Sequence, residues 1–415
     1  MVGRDRIIGK KHSRNTTSRV IGAGAGASLF LAAAAAMATG SAAPAKADFD
    51  DLLDPIIQPI LTQVTDSISV FDPALATDLT SWTDTFLADL NSLDSAVAAA
   101  STGATAAASS ASPASASGTY DLPITIQEDT EPTVQATVDG VSTSDLVDTG
   151  SSGLVVPLTE LDGGSTNFLT ELDTLFSLGS PVSFGESGYS GGVDYIYLTY
   201  DEPVDYATTS GTLDTTDVPV EVEVYSWDPS DLSSLFTNDA FQGFLGDNDV
   251  TGILGVGDTG TGGAGESPFE SAGFGGVTVD EPKGYLIVSS TPDTTGIELS
   301  ATGSTVSGLT ESVTTGSDGA GTVLGSGTVS DDLDSGGVYG TIPSSIYDGT
   351  VPDGDYVNVY DGNTLLYSYQ VETDSLSDSE SPLVTSGSSI DSGVIPFEEY
   401  PISIDYDTGA LYLDN

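Results

Sequence analysis

Short runs rich in Val, Ile, Tyr and Thr follow one another from Thr119 to the C-terminus, and Gly, Asp, Asn and Pro separate them. Such runs predict antiparallel strands, because β-branched and aromatic side chains fit a pleated sheet and the separating residues favour turns. Since about 295 residues is large for one sandwich, we predict an all-β region of two lobes, about 119–285 and 286–415. The runs are YDLPITI, TVQATV, VDYIYLTY, VPVEVEVYSW, KGYLIVSS, DYVNVY, TLLYSYQV and ISIDY.

The first 47 residues have the composition of a secretory signal peptide. Basic residues stand at the front, an uncharged Ala/Gly/Leu stretch runs from Val20 to Ala45, and Ala45-Lys46-Ala47 provides small residues for cleavage after Ala47. An uncleaved membrane anchor is the alternative, because the stretch is long enough to span a bilayer. The sequence thus predicts an exported protein that is secreted or held at the cell envelope or cell surface.

A helical segment and a linker lie between this leader and the β region. Residues 48–97 carry apolar residues at helical spacing, and prolines divide them into short helices. Residues 98–118 are almost all Ala, Ser and Thr, which is typical of a linker. The role of the helical segment stays open between a targeting module, a propeptide, a cell-envelope anchor and a solvated spacer.

The composition removes several kinds of chemistry. The chain has no Cys, its one His is His12 in the leader, and its only base beyond Lys46 is Lys283. Catalysis by Ser-His-Asp or Cys-His groups, and zinc sites made of imidazole or thiolate, therefore lack their residues. Binding to nucleic acid is disfavoured as well, because it needs positive charge and the chain has 62 acidic residues. We expect no metal site and no small-molecule cofactor, so carboxylates and hydroxyls are the groups left for catalysis.

An Asp followed by Thr-Gly or Ser-Gly occurs five times. Asp148 lies between apolar runs in LVDTGSSGLVV, and Asp334 has a similar setting in LDSGGVYGTIP about one lobe later. Asp258 and Asp407 have the surroundings of turn residues, and Asp407 is expected at the tip of a closing hairpin. Asp391 in SSIDSGVIPF is the rival to Asp334 as second acid, but only 24 residues follow it. Two triplets in matching surroundings favour a pair of carboxylates over two isolated turns.

Taken in order, several stretches resemble the pepsin-like aspartic proteases, in particular the secreted mycobacterial branch associated with PE proteins. The resemblance covers roughly residues 119–415 and implies a bilobal pepsin-like fold in which each lobe supplies one Asp-Thr/Ser-Gly loop. The matching stretches are LVDTGSSGLVVP, GYSGGVDYIYLTYDEPVDY, VTGILGVG, LDSGGVYGTIPSSI and PFEEYPISIDYDTGALYLDN.

The resemblance implies roles for particular residues. Asp148 and Asp334 are expected to share one proton and to activate a water molecule, because two carboxyl groups a few ångströms apart do not both ionise readily. Ile253-Leu254-Gly255 resembles the segment that passes under the first catalytic loop. The residues expected to support the two loops are Thr149, Gly150, Ser151, Ser335 and Gly336, and those expected in a flap over the substrate are Tyr189, Ser190 and Gly191.

The chain departs from the family pattern at three places. Leu154 and Val155 stand where vertebrate-type enzymes have an aromatic residue, which removes a usual partner of the flap tyrosine. The second lobe has no clear apolar-apolar-Gly segment, and Ile395-Pro396-Phe397 is in the nearest position. Mycobacterial relatives with a PE targeting domain begin with a helical hairpin, whereas this chain begins with a signal-like leader.

These features predict an exported aspartic endopeptidase that hydrolyses peptide bonds of surface or secreted proteins. Its own N-terminal region is a candidate substrate, since the linker is uncharged and has little to bury. The alternatives are a non-catalytic pepsin-like binding protein and an acidic cell-surface or calcium-binding β protein. A glycosidase with two carboxylates is disfavoured, because sugar sites stack rings on aromatic side chains and Trp227 is the only Trp of the β region.

Overall fold

The computed structural model describes residues 117–414 except 128–129, 162, 164–173, 176, 180, 190–191, 232–233, 235–238, 259–264, 339 and 373–379. The predicted signal peptide, the helical segment 48–97 and nearly all of the linker lie outside the described residues. Among the residues described, no helix is long and apolar enough to cross a membrane. This part of the chain is mostly β-strand, as predicted.

The first lobe is an eight-stranded sheet in which six strands close into a barrel. Its strands run in the order β2-β3-β4-β9-β5-β8-β7-β6, and a further pairing between β3 and β7 closes the sheet. Most of its pairs are antiparallel, whereas β4 with β9 and β5 with β8 are parallel. The strands are β2 (Thr125–Gln127), β3 (Glu131–Val138), β4 (Val141–Asp148), β5 (Ser152–Pro157), β6 (Ser183–Tyr189), β7 (Val193–Thr208), β8 (Gly211–Trp227) and β9 (Gly252–Val256).

The second lobe is a five-stranded half-barrel with the order β18-β17-β14-β15-β20, and a short strand β13 also pairs with β14. Beside it β16 and β19 form a small parallel pair. The strands are β13 (Ala301–Thr302), β14 (Thr305–Thr314), β15 (Val323–Asp332), β16 (Thr341–Pro343), β17 (Tyr356–Asp361), β18 (Thr364–Gln370), β19 (Leu383–Thr385) and β20 (Ser389–Asp391).

A six-stranded antiparallel sheet connects the two lobes, with the order β1-β11-β10-β21-β22-β12. It takes strands from both sides of the predicted lobe boundary near residue 285. The expected closing hairpin is present, since β21 pairs with β22 and Asp407 lies in the turn between them. The strands are β1 (Thr119–Pro123), β10 (Gly276–Asp280), β11 (Tyr285–Ser289), β12 (Ile297–Leu299), β21 (Ile402–Asp405) and β22 (Ala410–Leu413).

Four short α-helices flank the sheets in the part of the chain that the structure describes. The one that approaches the site is amphipathic, because Phe241 and Leu245 lie four residues apart and are both buried. The helices are α1 (Leu158–Leu161), α2 (Ala240–Asp247), α3 (Pro268–Ser271) and α4 (Ile395–Glu399).

Hydrophobic burial explains why these strands adopt their positions. In β3, Val134 and Ala136 are buried while Gln135 between them is exposed, so one face of this strand meets the core. All residues of β5 and β9 are buried, and these strands accordingly read as continuous apolar runs. One large core extends through both lobes and the connecting sheet. A smaller cluster lies where β5 and β9 meet α2.

A parallel strand supports the end of the strand that precedes each Asp-Thr/Ser-Gly loop. In the first lobe Asp148 at the end of β4 is opposite Gly255 of β9. In the second lobe Asp332 at the end of β15 is opposite Asp391 of β20. The expectation that Ile395-Pro396-Phe397 takes this position is wrong, because those residues belong to α4. Asp391, the rival second acid, belongs to β20 and lies beside the second loop.

Candidate active site

Each of the two predicted acids begins a tight loop that its own carboxylate helps to shape. Asp148 is the last residue of β4, and its Oδ1 accepts a hydrogen bond of 2.8 Å from the backbone N–H of Gly150. Asp334 follows β15 by two residues, and its Oδ1 accepts a bond of 2.9 Å from the N–H of Gly336. The matching local geometry follows from the matching sequences, since an Asp side chain readily bonds the backbone two residues ahead.

Four buried hydrogen bonds hold the two loops together. Thr149 Oγ1 donates to the carbonyl of Leu333 at 2.7 Å and accepts from the N–H of Ser335 at 2.9 Å. Reciprocally, Ser335 Oγ donates to the carbonyl of Val147 at 2.7 Å and accepts from the N–H of Thr149 at 3.1 Å. Each hydroxyl thus uses its donor and an acceptor on the opposite lobe. The arrangement fixes both loops, because breaking it leaves buried polar groups unpaired.

The glycines allow the two carboxyl groups to approach each other. A Cβ atom added to Gly150 would lie 2.7 Å from Cγ of Asp334, and one added to Gly336 would lie 3.0 Å from Cγ of Asp148. Each carboxyl therefore packs against the glycine of the opposite loop. The structure brings together Asp148 and Asp334, the two acids that the sequence paired.

The electrostatics of the pair favour a single shared proton. Burial raises the pKa of the Asp334 carboxyl well above its ordinary value, and the nearby Asp148 and Asp391 raise it further. Asp148 is only 6% exposed, and its Oδ2 accepts a hydrogen bond from the hydroxyl of Ser151. A pair with one proton can supply an acid and a base at the same place.

Further carboxyl groups surround the pair. Burial, with a contribution from Asp148, raises the pKa of Glu131 at the start of β3 to about 7. Burial also raises the pKa of Asp391 to about 6, although the N–H of Gly393 opposes this. Lys283, the one base among the described residues, bonds Asp280 at 2.6 Å, so it offsets none of these charges. The site is therefore acidic without a neutralising side chain from the described residues.

Tyr189 lies over the first acid. It ends β6, and the β6–β7 hairpin pairs it with Val193, while Ser190 and Gly191 at the tip lie outside the described residues. Burial raises its pKa well above the ordinary value, and neighbouring Tyr195 and Asp148 raise it further. The hydroxyl of Tyr189 is therefore close to Tyr195, Asp148 and Ser151, and its role in a flap stays a prediction.

An aromatic cluster around Tyr189 was not predicted from the sequence. The Tyr189 ring stacks on Phe244 at a centroid distance of 5.7 Å and on Tyr195 at 5.6 Å. Phe241 of the same helix lies 5.0 Å from Tyr195. Val155 also packs in this cluster. It is one of the two residues that stand where vertebrate-type enzymes have an aromatic residue. The i, i+3 spacing of Phe241 and Phe244 in AFQGFLGD indicates that both rings lie on one side of the helix. No local sequence pattern indicates that this side contacts Tyr189.

The two triplets that the sequence places in turns, at Asp258 and Asp407, do not join the pair. Asp407 is exposed in the β21–β22 turn, and Asp258 follows β9 next to residues 259–264, which lie outside the described residues. Within the described part of the chain, no group of three or more His, Cys, Asp or Glu side chains is arranged to hold a metal ion.

A barrel and a half-barrel that each contribute one Asp-Thr/Ser-Gly loop to a common carboxyl pair define an aspartic-peptidase-like protein. The family described as the PE-PGRS C-terminal aspartyl peptidase-like domain matches residues 120–412, and the chain belongs to this family. The predicted relationship to the PE-associated mycobacterial branch is thereby confirmed.

Relatives of known name agree with this membership. PE cleavage protein A from Mycobacterium tuberculosis is 32% identical over 304 residues, which is 70% of this chain and 50% of the relative. PE cleavage protein A from Mycobacterium marinum is 31% identical over 312 residues, 71% of this chain and 52% of the relative. The chain thus spans about half the length of these relatives. The crystal structure of aspartic proteinase from Irpex lacteus has 15% identity, with 72% of this chain and 97% of that chain covered and a TM-score of 0.47.

Proposed function

We propose that the chain is an exported pepsin-like aspartic endopeptidase whose catalytic dyad is Asp148 and Asp334. The observation that carries the proposal is the interlock of Thr149 and Ser335, because its four hydrogen bonds serve to bring two loops with buried acids together. Carboxyl pairs need such support, since each charge opposes the ionisation of the other.

The two acids have different roles in this proposal. Asp334 holds the shared proton, since burial and its acidic neighbours raise its pKa. Asp148 is the base, because it accepts hydrogen bonds from Gly150 and Ser151. Asp148 takes a proton from a water molecule, the water oxygen attacks the carbonyl carbon of the peptide bond, and Asp334 donates its proton to the carbonyl oxygen. The resulting diol collapses with cleavage of the C–N bond, and a proton passes to the leaving amine.

The flap supports binding of an extended peptide. The ring of Tyr189 stacks on Phe244, and Asp148 acts on the Tyr189 hydroxyl. Glycines flank the hairpin tip. A hinged cover of this kind can exclude water once substrate is bound. We therefore expect a preference for bulky apolar side chains next to the cleaved bond.

Proteins of the PE type are the proposed substrates, since the relatives are named for cleaving PE proteins. The leader supports export and a place outside the cell or at its envelope. The uncharged linker supports the chain's own N-terminal region as a second substrate. The acidic surface also favours neutral or basic targets, because it repels acidic ones.

The decisive measurement is cleavage of an unfolded protein by the purified full-length chain between pH 3 and 7. Asp148→Asn and Asp334→Asn are each expected to lower kcat at least about hundredfold, since each removes one proton-transfer group. Asp407→Asn is the matched control, because it changes an exposed acid of the same triplet type. A wild-type chain without activity at any pH would instead support a non-catalytic binding protein.

Self-cleavage is tested separately by determining the N-terminus of the wild-type chain and of Asp334→Asn after storage at the active pH. A new N-terminus within 98–118 in the wild type alone supports it. Identical N-termini in both would contradict it, without affecting the proposed peptidase activity.

A further inference from the structure

The segment beneath the catalytic loop differs in chemistry between the two lobes. The pairing of β4 with β9 places Ile253 opposite Leu146, Leu254 opposite Val147 and Gly255 opposite Asp148. The pairing of β15 with β20 ends with Asp332 opposite Asp391. Because Asp334 corresponds to Asp148, continuing that register puts Asp391-Ser392-Gly393 in the place of Ile253-Leu254-Gly255. The second lobe therefore keeps the glycine and replaces both apolar residues by an acid and a hydroxyl.

The three residues of this segment form the support of the second acid. The hydroxyl of Ser392 accepts a hydrogen bond of 3.2 Å from the N–H of Asp334 and donates one of 2.8 Å to the carbonyl of Gly393. The N–H of Ser392 bonds the carbonyl of Asp332 at 2.9 Å. The segment is thus attached to the loop on both sides of Leu333.

Asp391 itself is held with its carboxylate against the catalytic loop. Its Oδ1 accepts a bond of 2.9 Å from the N–H of Gly393, and its own N–H donates to Oγ1 of Thr341 at 2.8 Å. A Cβ added to Gly337, the second glycine after Ser335, would lie 3.0 Å from this Oδ1. Packing therefore fixes a third carboxyl group next to the Asp334 loop.

The charged groups that face Asp391 are all acidic. Asp331 and Asp332 lie on β15, Asp334 lies on the loop, and Asp148 lies across the lobe interface. The strand β16, which also contacts β20, is Thr-Ile-Pro and adds no titratable group.

We propose that Asp391 is a positioning residue that sets the upper pH limit of the Asp148–Asp334 pair, by placing a negative charge beneath the acid that must keep its proton. The inference rests on the proposed peptidase function and assigns its regulation by pH. As pH rises, Asp391 ionises near pH 6 and then opposes loss of the proton from Asp334. The pair accordingly keeps its single proton to higher pH than two carboxyl groups alone.

The test is the pH profile of kcat/KM for the full-length wild type, Asp391→Asn and the exposed control Asp407→Asn. Asn keeps the oxygen that accepts the Gly393 bond but removes the charge. We expect the descending limb of Asp391→Asn to move down by about one pH unit, with the ascending limb in place. A profile that coincides with that of the wild type would overturn the proposal. So would loss of activity at every pH in a folded variant, because Asp391 would then belong to the dyad itself.

A second variant keeps the proposal testable if Asp391→Asn fails to fold by circular dichroism. Asp332→Asn removes the charge that faces Asp391 across the strand pair and that also raises the pKa of Asp334. It should move the descending limb in the same direction by a smaller amount, and an unmoved limb would count against the role of this acidic cluster. If the wild type itself shows no cleavage, the peptidase proposal fails first, which separates that result from failure of the pH inference.

Discussion

The two lobes supply almost identical loops to the site, yet their supports differ. The first lobe is a closed barrel that holds Asp148 over the buried Ile253 and Leu254. The second is a half-barrel that holds Asp334 over Asp391 and Ser392. Where the loops meet, the hydrogen bonds are reciprocal, but beneath them one lobe is apolar and the other is acidic. The difference places an acidic group beside Asp334 and apolar groups beside Asp148, and this supports the proposed division into acid and base.

The largest effect on activity is expected when a methyl group is added at the equivalent glycines of the two loops. Gly150→Ala puts a methyl group 2.7 Å from Cγ of Asp334, and Gly336→Ala puts one 3.0 Å from Cγ of Asp148. Both should lower kcat at least about hundredfold, since small misplacement of a reacting group is costly. Gly150→Ala should be the more severe. The rate of peptide cleavage by the folded variants measures the effect. Gly140→Ala is not a suitable control, because the φ angle of Gly140 is positive and a side chain there would be strained.

Gly243→Ala provides the control, because nothing lies within 4 Å of the added Cβ and the residue is in a helix. Near-normal activity in Gly336→Ala would show that the two loops do not approach as closely as described.

The reciprocity of the interlock can be tested next. Thr149→Val removes one donor and one acceptor, and Ser335→Ala does the same from the other lobe. Each should lower the free energy of unfolding by about 2–4 kcal/mol, because buried backbone partners are left unpaired. Equal losses in denaturant unfolding would indicate that the lobes share the interlock equally.

The double variant extends this test to coupling. Since each side chain bonds the other's backbone, the combined loss should differ from the sum of the single losses. Thr408→Val in the exposed closing turn is the control. Strict additivity of the two site variants would contradict a coupled interlock.

A smaller effect concerns buried acids distributed over both lobes. Glu221 of the barrel and Glu311 of the half-barrel are almost fully buried, and burial raises the pKa of each to about 8. The unfolded chain ionises these groups near pH 4, so the folded chain binds more protons between pH 4 and 8. Their contribution to stability is complete below about pH 4 and is lost as pH rises through about 8.

Glu221→Gln and Glu311→Gln should therefore flatten the decline of stability with pH, each by a few kcal/mol between pH 4 and 8. Thermal or denaturant unfolding across that range measures the slope, with Glu298→Gln on the exposed face of β12 as control. One of the two variants could keep the wild-type dependence of stability on pH while the other loses it. The lobe with the unchanged dependence would then be one that admits water to its buried carboxylate.

Much of the fold could be predicted from local pattern. The strand-forming runs all lie in strands or overlap them, because alternation and turn residues act over a few positions. The pairing of Asp148 with Asp334 was also predictable, since both triplets lie between apolar runs. The support of Asp334 was not. Its position depends on the parallel pairing of β15 with β20, strands that 56 residues separate, and no local pattern specifies that register.

From the sequence alone, the class of chemistry could be narrowed to carboxylates and hydroxyls, and Asp148 and Asp334 were favoured as the carboxyl pair. A β region with one Lys, no His and no Cys leaves carboxylates and hydroxyls, and the triplets say which. The tertiary structure alone decided the environment of each acid. It put Phe241 and Phe244 beside Tyr189, and it brought Asp391 beneath Asp334. Proton affinity depends on burial and on neighbouring charges, and both are set by residues distant in sequence that only folding brings together.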